Sequence, residues 1–209
     1  SNMIDAFVNN ADIHTSTAAK VFHVDENMVT PSMRSFAKAV NFGIIYGIGA
    51  YSLSKDINVS VKEAKHYISE YFSRYPDVEK FIKDTVRKAT ADGYVTTLFG
   101  RRRNIPELSS SNRIIKASGE RIAMNTPIQG TAADIIKKAM INVFRKLKES
   151  VPDAHLILQV HDELIVECSP EDAEKAGKIL HDEMENACKL RVPLVADVKE
   201  GHSWYDAKG

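Results

Sequence analysis

The segment 155–167, with the sequence HLILQVHDELIVE, constrains the fold of this chain more than any other. Two apolar runs rich in Leu, Ile and Val flank the polar residues His161, Asp162 and Glu163. Apolar runs of this length that are joined by a tight polar turn predict an antiparallel β-hairpin. Burial of the flanks would fix the adjacent carboxylates of Asp162 and Glu163 at an open tip.

Most of the remaining chain has helical signals. Pro31 stands near the first position of a helix that begins at Thr30, and Ser60 with Glu63 forms a capping box. The predicted helical segments are short turns within 3–24, then 31–47, 60–75, 76–93, a pair within 112–148 that is interrupted near Pro127, and 169–189. Further strands are predicted at 94–99 and 192–201. A helix-rich first half followed by strands indicates an α+β fold.

The helix over 31–47 carries a stripe of cations and aromatic rings. Arg34, Lys38, Phe42 and Tyr46 recur every four positions and therefore share one face. Arg and Lys one turn apart can both reach one polyphosphate, as a nucleoside triphosphate requires, and the rings can pack on a sugar or base. On spacing alone, an amphipathic helix with its aromatics in the core is the stronger alternative. His14 is a further candidate phosphate donor, although a lone histidine is usually an ordinary surface or core residue.

A second set of residues has the chemistry of a nucleic-acid site. Three arginines follow a turn at Gly100, and three polar residues recur four positions apart on a later helix; these residues are Arg101, Arg102, Arg103, Arg121, Asn125 and Gln129. Arginines bind phosphates, and Arg, Asn and Gln can hydrogen-bond base edges. The alternatives are an exposed charge cluster and a solvated helix face.

The carboxylates at the predicted hairpin tip suit a hard cation. Mg²⁺ takes one or two protein carboxylates and completes its shell with water and substrate phosphate. Asp162 and Glu163 are therefore candidate magnesium ligands, with an ordinary acidic turn as the alternative.

The charge distribution agrees with a protein that binds a polyanion on one surface and cations on another. The whole chain has 28 basic and 28 acidic side chains, but segment 99–149 has 11 basic and 4 acidic residues (+7), and segment 150–209 has 6 and 13 (−7). Two segments that neutralise each other across an interface are an equal alternative. The chain has no apolar run long enough for a membrane span and no signal-peptide pattern, and its two cysteines are too few for a disulfide framework. We therefore expect a cytoplasmic protein without a membrane partner.

Taken together, these motifs closely resemble the C-terminal part of the polymerase domain of the bacterial DNA polymerase I family, the family A DNA polymerases. The segment from Arg34 to Gly47, R-x3-K-x3-F-x3-YG, is similar to motif B on the O helix of the fingers, and QVHDE is similar to motif C of the palm. The segments GYVTTLFGRRR, ERIAMNTPIQGTAAD and DIHT match further family signatures. Five motifs in the family's order make the resemblance specific over almost the whole chain.

The resemblance implies a role for each matched residue. Arg34, Lys38 and His14 would bind the incoming triphosphate, and Lys38 would also be the general acid for the departing pyrophosphate. Phe42 would pack on the nucleotide's sugar and base, and Tyr46 would lie beside the templating base. Primer-template contacts are implied for Arg121, Asn125, Gln129 and His161. Asp162 would be a catalytic metal ligand with Glu163 beside it, in a site for two Mg²⁺ ions.

The same resemblance predicts the domain organisation and the limits of this chain. Residues 1–2 look like a tag remnant, 3–92 would be a mainly helical fingers subdomain with motif B at 33–47, and 93–209 would be a partial palm with an antiparallel sheet, packed helices and the motif C hairpin at 155–168. Ser35 replaces a second arginine that many family members have in motif B. Motif A, a DYSQIE-type strand with the partner metal ligand, and the thumb are not in the sequence.

We therefore expect a polymerase fragment that binds primer-template DNA and deoxynucleoside triphosphates but does not polymerise by itself. A non-catalytic nucleotide or DNA-binding module is one alternative. A fragment of a single-subunit RNA polymerase is another, although Phe42 and the GRRR segment argue against it. A palm sheet that lacks one strand could also self-associate through its exposed edge.

Overall fold

The computed structural model describes residues 2–9 and 11–208, apart from the side chain of Asn2. The helices are α1 (Asn2–Val8), α2 (Ile13–Val21), α3 (Pro31–Ile45), α4 (Ala50–Asp56), α5 (Val61–Arg74), α6 (Pro76–Asp92), α7 (Arg113–Ser150), α8 (Ala173–Glu185) and α9 (Trp204–Lys208). The strands are β1 (Tyr94–Thr96), β2 (Arg102–Asn104), β3 (His155–Val160) and β4 (Glu163–Glu167). Within the described ranges they form two antiparallel pairs, β1 with β2 and β3 with β4, so the predicted α+β class is confirmed.

Local sequence signals set most helix ends. The Thr30 hydroxyl accepts a hydrogen bond from the Met33 amide, with Pro31 at the first helical position of α3. Ser60 and Glu63 form the predicted capping box of α5, in which the Ser60 hydroxyl accepts from the Glu63 amide and the Glu63 carboxylate accepts from the Ser60 amide. These donors lower the pKa of Glu63. Of the predicted tag remnant, Ser1 lies outside the described residues and Asn2 opens α1.

Contacts divide the chain into two compact units, Ser1–Thr131 and Ala132–Gly209, and the boundary falls inside α7. The first unit has two apolar clusters. One packs α3 against α4 and α5; its buried members are Val40, Ile44, Leu53, Ala64, Tyr71 and Tyr75. The other packs α6 and the β1–β2 pair against α7; its buried members are Ala89, Val95, Ile105, Leu108 and Ala123. The division into fingers at 3–92 and palm at 93–209 is a functional assignment and stays a prediction.

The second unit is built around the predicted hairpin. Strands β3 and β4 pair from His155 with Glu167 to Val160 with Glu163, with an irregularity between Leu156 and Leu158. The second part of α7 and α8 cover one face of the hairpin; the buried members of this cluster are Ala139, Val143, Leu147, Val151, Ala154, Leu164, Ala176 and Ala187. Cys168 and Cys188 are free thiols. No helix among the described residues is both long and apolar enough to cross a membrane.

Three predictions about secondary structure were wrong. Helix α7 continues through Pro127, because Ala123 before the proline and Ala139 after it are buried in the apolar clusters and hold the helix on both sides. The segment 192–201 forms no strand, because a strand requires a hydrogen-bonded neighbour and no described segment pairs with it. Helix α8 ends at Glu185, four residues before the predicted end at Lys189, and Asn186 follows as its C-cap.

Gly47 gives a prediction for stability. It follows α3 with a φ of 74°, and a Cβ there would lie 2.6 Å from Cε of Met124. Replacing Gly47 with Ala should lower the free energy of unfolding by about 1–3 kcal/mol, because a side chain strains the left-handed backbone and overlaps Met124. Gly49→Ala is the control, because Gly49 has a φ of −78° and nothing within 4 Å of a built Cβ. Urea denaturation followed by circular dichroism measures both variants, and equal midpoint shifts would contradict this account.

Candidate functional site

The cation and aromatic stripe of α3 faces solvent. Arg34 and Lys38 are exposed, Phe42 is 40% exposed and Tyr46 is 36% exposed. The opposite face of the helix is buried in the first unit's core; its buried residues are Ala37, Val40, Asn41 and Ile44. The alternative in which these two aromatic rings belong to the hydrophobic core is therefore wrong.

The exposed residues of α3 contact one another and α2. The rings of Phe42 and Tyr46 are stacked, with centroids 5.9 Å apart and 25° between their planes. Nζ of Lys38 lies 5.9 Å from the Phe42 centroid, and the His14 ring lies 5.7 Å from it. The structure thus brings together four predicted nucleotide-binding residues in one continuous surface, which we call the α3 stripe: Lys38, Phe42, Tyr46 and His14.

Arg34 joins this surface through Asp12, which the sequence analysis did not single out as a site residue. One carboxylate oxygen of Asp12 accepts hydrogen bonds from the backbone amides of His14 and Thr15 at the start of α2. The other accepts from Nε of Arg34 at 2.5 Å and from the Thr15 hydroxyl. Partial burial alone would raise the pKa of Asp12, but these hydrogen bonds hold it well below its usual range. The signal that could have found Asp12 is its N-cap position in DIHT.

His14 is half-buried and lies beside Phe42. Nδ1 of its ring lies 3.0 Å from Nδ2 of Asn41. Burial lowers the pKa of His14, Asp12 opposes this effect, and the cations of Arg34 and Lys38 lower the pKa further. This lowered pKa favours the neutral ring, which contributes a hydrogen-bond donor or acceptor instead of a third cation.

Five of the six predicted DNA-binding residues at 101–129 line one groove of the first unit. The lining residues are Arg101, Arg103, Ser118, Arg121, Ile122, Asn125, Thr126, Gln129 and Gly130. Three cations and two amides therefore face the same space. Oδ1 of Asn125 is buried without a hydrogen-bond partner, so an acceptor is held at the wall of the groove.

The pairing of β1 with β2 separates the three arginines. Arg102 and Arg103 are successive residues of β2 and point to opposite sides, and the groove is lined by Arg101 and Arg103 but not by Arg102. The Arg102 guanidinium instead lies 3.7 Å above the ring of Tyr94, and its Nε donates to Asn104. Arg101 and Arg103 instead contact α7. Arg101 donates to the carbonyl of Gly130, and Arg103 donates to the hydroxyl of Thr126.

The hairpin tip has the predicted tight turn, with His161 and Asp162 between β3 and β4. His161 adopts a φ of 54°, an unusual conformation for a non-glycine residue, and its carbonyl accepts a hydrogen bond from the Gln159 side chain. Asp162 is exposed. Glu163 is half-buried, with Oε1 3.6 Å from Nζ of Lys208 and Oε2 buried without a hydrogen-bond partner.

These carboxylates fit part of a magnesium site. Asp162 presents an open hard ligand, and the orphaned Oε2 of Glu163 is an acceptor without a donor, as a cation ligand would be. Within 2–9 and 11–208, however, no three His, Cys, Asp or Glu side chains form a group that could enclose a metal ion. The tip therefore supplies one or two of the ligands that a two-metal site needs. The tip belongs to the second unit, and the α3 stripe and the groove belong to the first.

Comparisons with known proteins cover nearly the whole chain. The model for DNA polymerase family A matches residues 1–206. DNA polymerase I of Caldicellulosiruptor bescii is 54% identical over 206 residues, and DNA polymerase I of Bacillus subtilis is 54% identical over 207 residues; each alignment covers 99% of this chain and 24% of the relative. The chain thus spans about a quarter of the length of these relatives.

A solved structure gives the same relationship. The POL domain of Pol1 from M. smegmatis, in complex with DNA primer-template and dNTP, is 42% identical, with a TM-score of 0.93 over 99% of this chain and 36% of that chain. Both the sequence of this chain and its fold therefore place it in one family, and the resemblance that its motifs predicted is confirmed. The chain belongs to DNA polymerase family A.

Proposed function

We propose that this chain is the fingers and the motif C side of the palm of a DNA-directed DNA polymerase. The complete enzyme would add deoxynucleotides to a primer 3′-hydroxyl as a template directs, in DNA replication and repair. The observation that carries the proposal is the α3 stripe together with Arg34, which lies one turn before Lys38, and with His14 packed on Phe42. The cations of Arg34 and Lys38 match the charged part of a nucleoside triphosphate, and the rings match its flat parts.

Arg34 and Lys38 would hold the triphosphate. Arg34 can form two parallel hydrogen bonds to a phosphate, and Lys38 is a compact charge with three donors. The exposed Lys38 ammonium would also be the general acid that protonates the departing pyrophosphate. Only Nε of Arg34 donates to Asp12, so the N–H groups of its two Nη atoms can bind a phosphate while that ion pair is kept.

Phe42 and Tyr46 would bind the flat parts of the substrates. Phe42 presents an exposed ring one turn beyond Lys38, where the sugar and base of a bound nucleotide would follow the phosphates. Tyr46 stacks next to it and would lie beside the templating base. The phenylalanine at position 42 agrees with a DNA polymerase and argues against a single-subunit RNA polymerase.

The groove lined by Arg101, Arg103, Arg121, Asn125 and Gln129 would bind the primer-template. Arginines neutralise backbone phosphates, and the two amides can reach base edges in the minor groove without strong sequence preference. Arg102 is also a predicted DNA-binding residue, but its stacking on Tyr94 favours a supporting role. His161 at the hairpin tip would contact the primer strand.

DNA binding by the chain tests this part of the proposal. The affinity for labelled primer-template should fall with salt at a log-log slope of about −0.9 for each phosphate neutralised. Replacing Arg101, Arg102 and Arg103 together with Ala should weaken binding and make that slope shallower. Fluorescence anisotropy over a salt series measures both quantities.

The control for charge is the triple variant in which Lys62, Lys65 and Lys80 become Ala. These lysines are exposed and do not line the groove, and their removal changes the net charge by the same amount. A salt-independent affinity would contradict the proposed groove. If both triple variants lost the same affinity for primer-template, the effect would come from overall charge and not from the groove.

Magnesium would bind at Asp162 with Glu163 beside it. Two such ions in the complete enzyme would activate the primer hydroxyl and neutralise charge on the leaving pyrophosphate. Asp162 would provide an open carboxylate for this purpose, while Lys208 and the backbone of β4 hold Glu163 in place. The remaining ligands must come from other parts of the enzyme.

The 209-residue chain by itself would act as a non-catalytic module that binds nucleotide and DNA. These substrates are found in the bacterial cytoplasm, where we place the protein. Each strand of the β3–β4 pair has one edge without a strand neighbour among the described residues. Self-association through such an edge remains part of the proposal.

A further inference from the structure

Asn41 is a buried polar residue on the side of α3 that meets α2. Its side chain is only 2% exposed, and its Nδ2 lies 3.0 Å from Nδ1 of His14 and 3.1 Å from Oγ1 of Thr17. A weaker contact of 3.5 Å joins Nδ2 to the carbonyl of Ile13. Oδ1 of Asn41 is buried without a partner, although a buried unsatisfied acceptor is costly. An apolar residue would avoid that cost, so the amide must contribute something that an apolar side chain lacks.

The hydrogen-bond partners of Asn41 favour one orientation of its amide, since a flipped amide would place Oδ1 3.5 Å from the carbonyl oxygen of Ile13. The Thr17 hydroxyl donates its single proton to the carbonyl of Ile13 at 2.8 Å. Its oxygen is therefore an acceptor toward Asn41, which must present its NH₂ group and not its carbonyl. The second proton of that NH₂ group then points to Nδ1 of His14.

This orientation determines which nitrogen of His14 carries the proton. A ring nitrogen that accepts from an amide must be unprotonated, so the single proton of neutral His14 resides on Nε2. The lowered pKa of His14, caused first by burial and opposed by Asp12, agrees with a neutral ring between the cations of Arg34 and Lys38. His14 thereby offers an N–H donor without adding a third positive charge.

We propose that Asn41 is a positioning residue for nucleotide binding, because it holds His14 as the Nε2–H tautomer and directs that donor to the triphosphate. The proposal rests on the function proposed above, in which His14 contacts the phosphates. Asn41 itself touches no substrate. It acts through His14, and Thr17 sets the orientation of its amide.

The first experiment measures the tautomer in the free chain, without nucleotide. Long-range ¹H–¹⁵N NMR correlations show which ring nitrogen is protonated, and His14→Ala identifies the signals of His14. The wild-type chain should show Nε2–H at His14, whereas Asn41→Leu should show a mixture of tautomers. Thr17→Val should give a mixture as well, while Thr17→Ser, which keeps the hydroxyl, should retain Nε2–H. The Thr17 pair keeps the experiment decisive if Asn41→Leu does not fold.

The second experiment is a double-mutant cycle on dNTP affinity. Asn41→Leu should weaken binding roughly three- to tenfold, as expected for one displaced hydrogen bond. In a His14→Ala background the same substitution should have no further effect, because Asn41 then has no ring to position. A merely structural role for Asn41 would weaken binding equally in both backgrounds.

The outcomes separate this proposal from the proposed function. Binding of dNTP by a chain whose His14 holds its proton on Nδ1 would overturn the role of Asn41 alone, as would equal effects in the two backgrounds. A wild-type chain that binds no dNTP would overturn the proposed function, and the role of Asn41 in nucleotide binding with it.

Discussion

Primer extension by the 209-residue chain should give no templated product above that of its Asp162→Ala variant. Two-metal phosphoryl transfer would need carboxylates from more than one part of the active site to hold both ions. Asp162 supplies one of these carboxylates. Glu163 is its immediate neighbour at the start of β4, and its Oε1 lies 3.6 Å from Nζ of Lys208, so it is a poor substitute for a ligand from another strand.

The positive control is a longer version of the protein that includes a DYSQIE-type strand and a thumb. That version should extend the primer, and Asp162→Ala in it should reduce the rate by at least about a thousandfold, because a lost metal ligand removes several kcal/mol of transition-state stabilisation. A gel-based assay with labelled primer measures both proteins. Templated extension by the 209-residue chain alone, above its own Asp162→Ala variant, would show that the missing aspartate is dispensable and that our account of the metal site is wrong.

The second large effect is expected on nucleotide binding. Arg34→Ala or Lys38→Ala should each weaken dNTP binding by roughly 1.5–3 kcal/mol, because each removes a charge-assisted hydrogen bond to the triphosphate. Arg34 already has a partner in Asp12, so its loss should cost less than that of Lys38. Isothermal titration calorimetry with a single dNTP gives the affinities directly.

Lys20→Ala provides a matched control for the loss of one positive charge. Lys20 is exposed in the last turn of α2 and lies outside the α3 stripe. Its removal should leave dNTP affinity nearly unchanged, since a distant surface charge is screened by salt. Wild-type affinity in both the Arg34 and the Lys38 variants would contradict the assignment of the α3 stripe to the triphosphate.

Short-range signals predicted most of the helix and turn positions. Thr30 with Pro31, Ser60 with Glu63, and Gly93 mark helix ends where the structure has them. The hairpin at 155–167 was also predicted with its tip in place. The helix ends depend on residues within about four positions of each other, and the hairpin depends on a tight turn between two strands that are adjacent in the sequence.

Other features depend on residues far apart in the sequence. The tolerance of α7 for Pro127 and the failure of 192–201 to form a strand both follow from which segments pack or pair with them. The separation of Arg102 from Arg101 and Arg103 follows from the pairing of β2 with β1. Composition and spacing carry no information about such partners.

The sequence by itself determined the family, the shared helix face of Arg34, Lys38, Phe42 and Tyr46, and the carboxylates at the hairpin tip. Only the tertiary structure decided that the rings of the stripe face solvent, that Asp12 pairs with Arg34, and that a buried Asn41 orients His14. Periodicity assigns residues to a face of a helix, but the free energy of burial is decided by what packs against that face. A hydrogen bond between α2 and α3 likewise exists only once packing has brought its donor and acceptor within about 3 Å of each other.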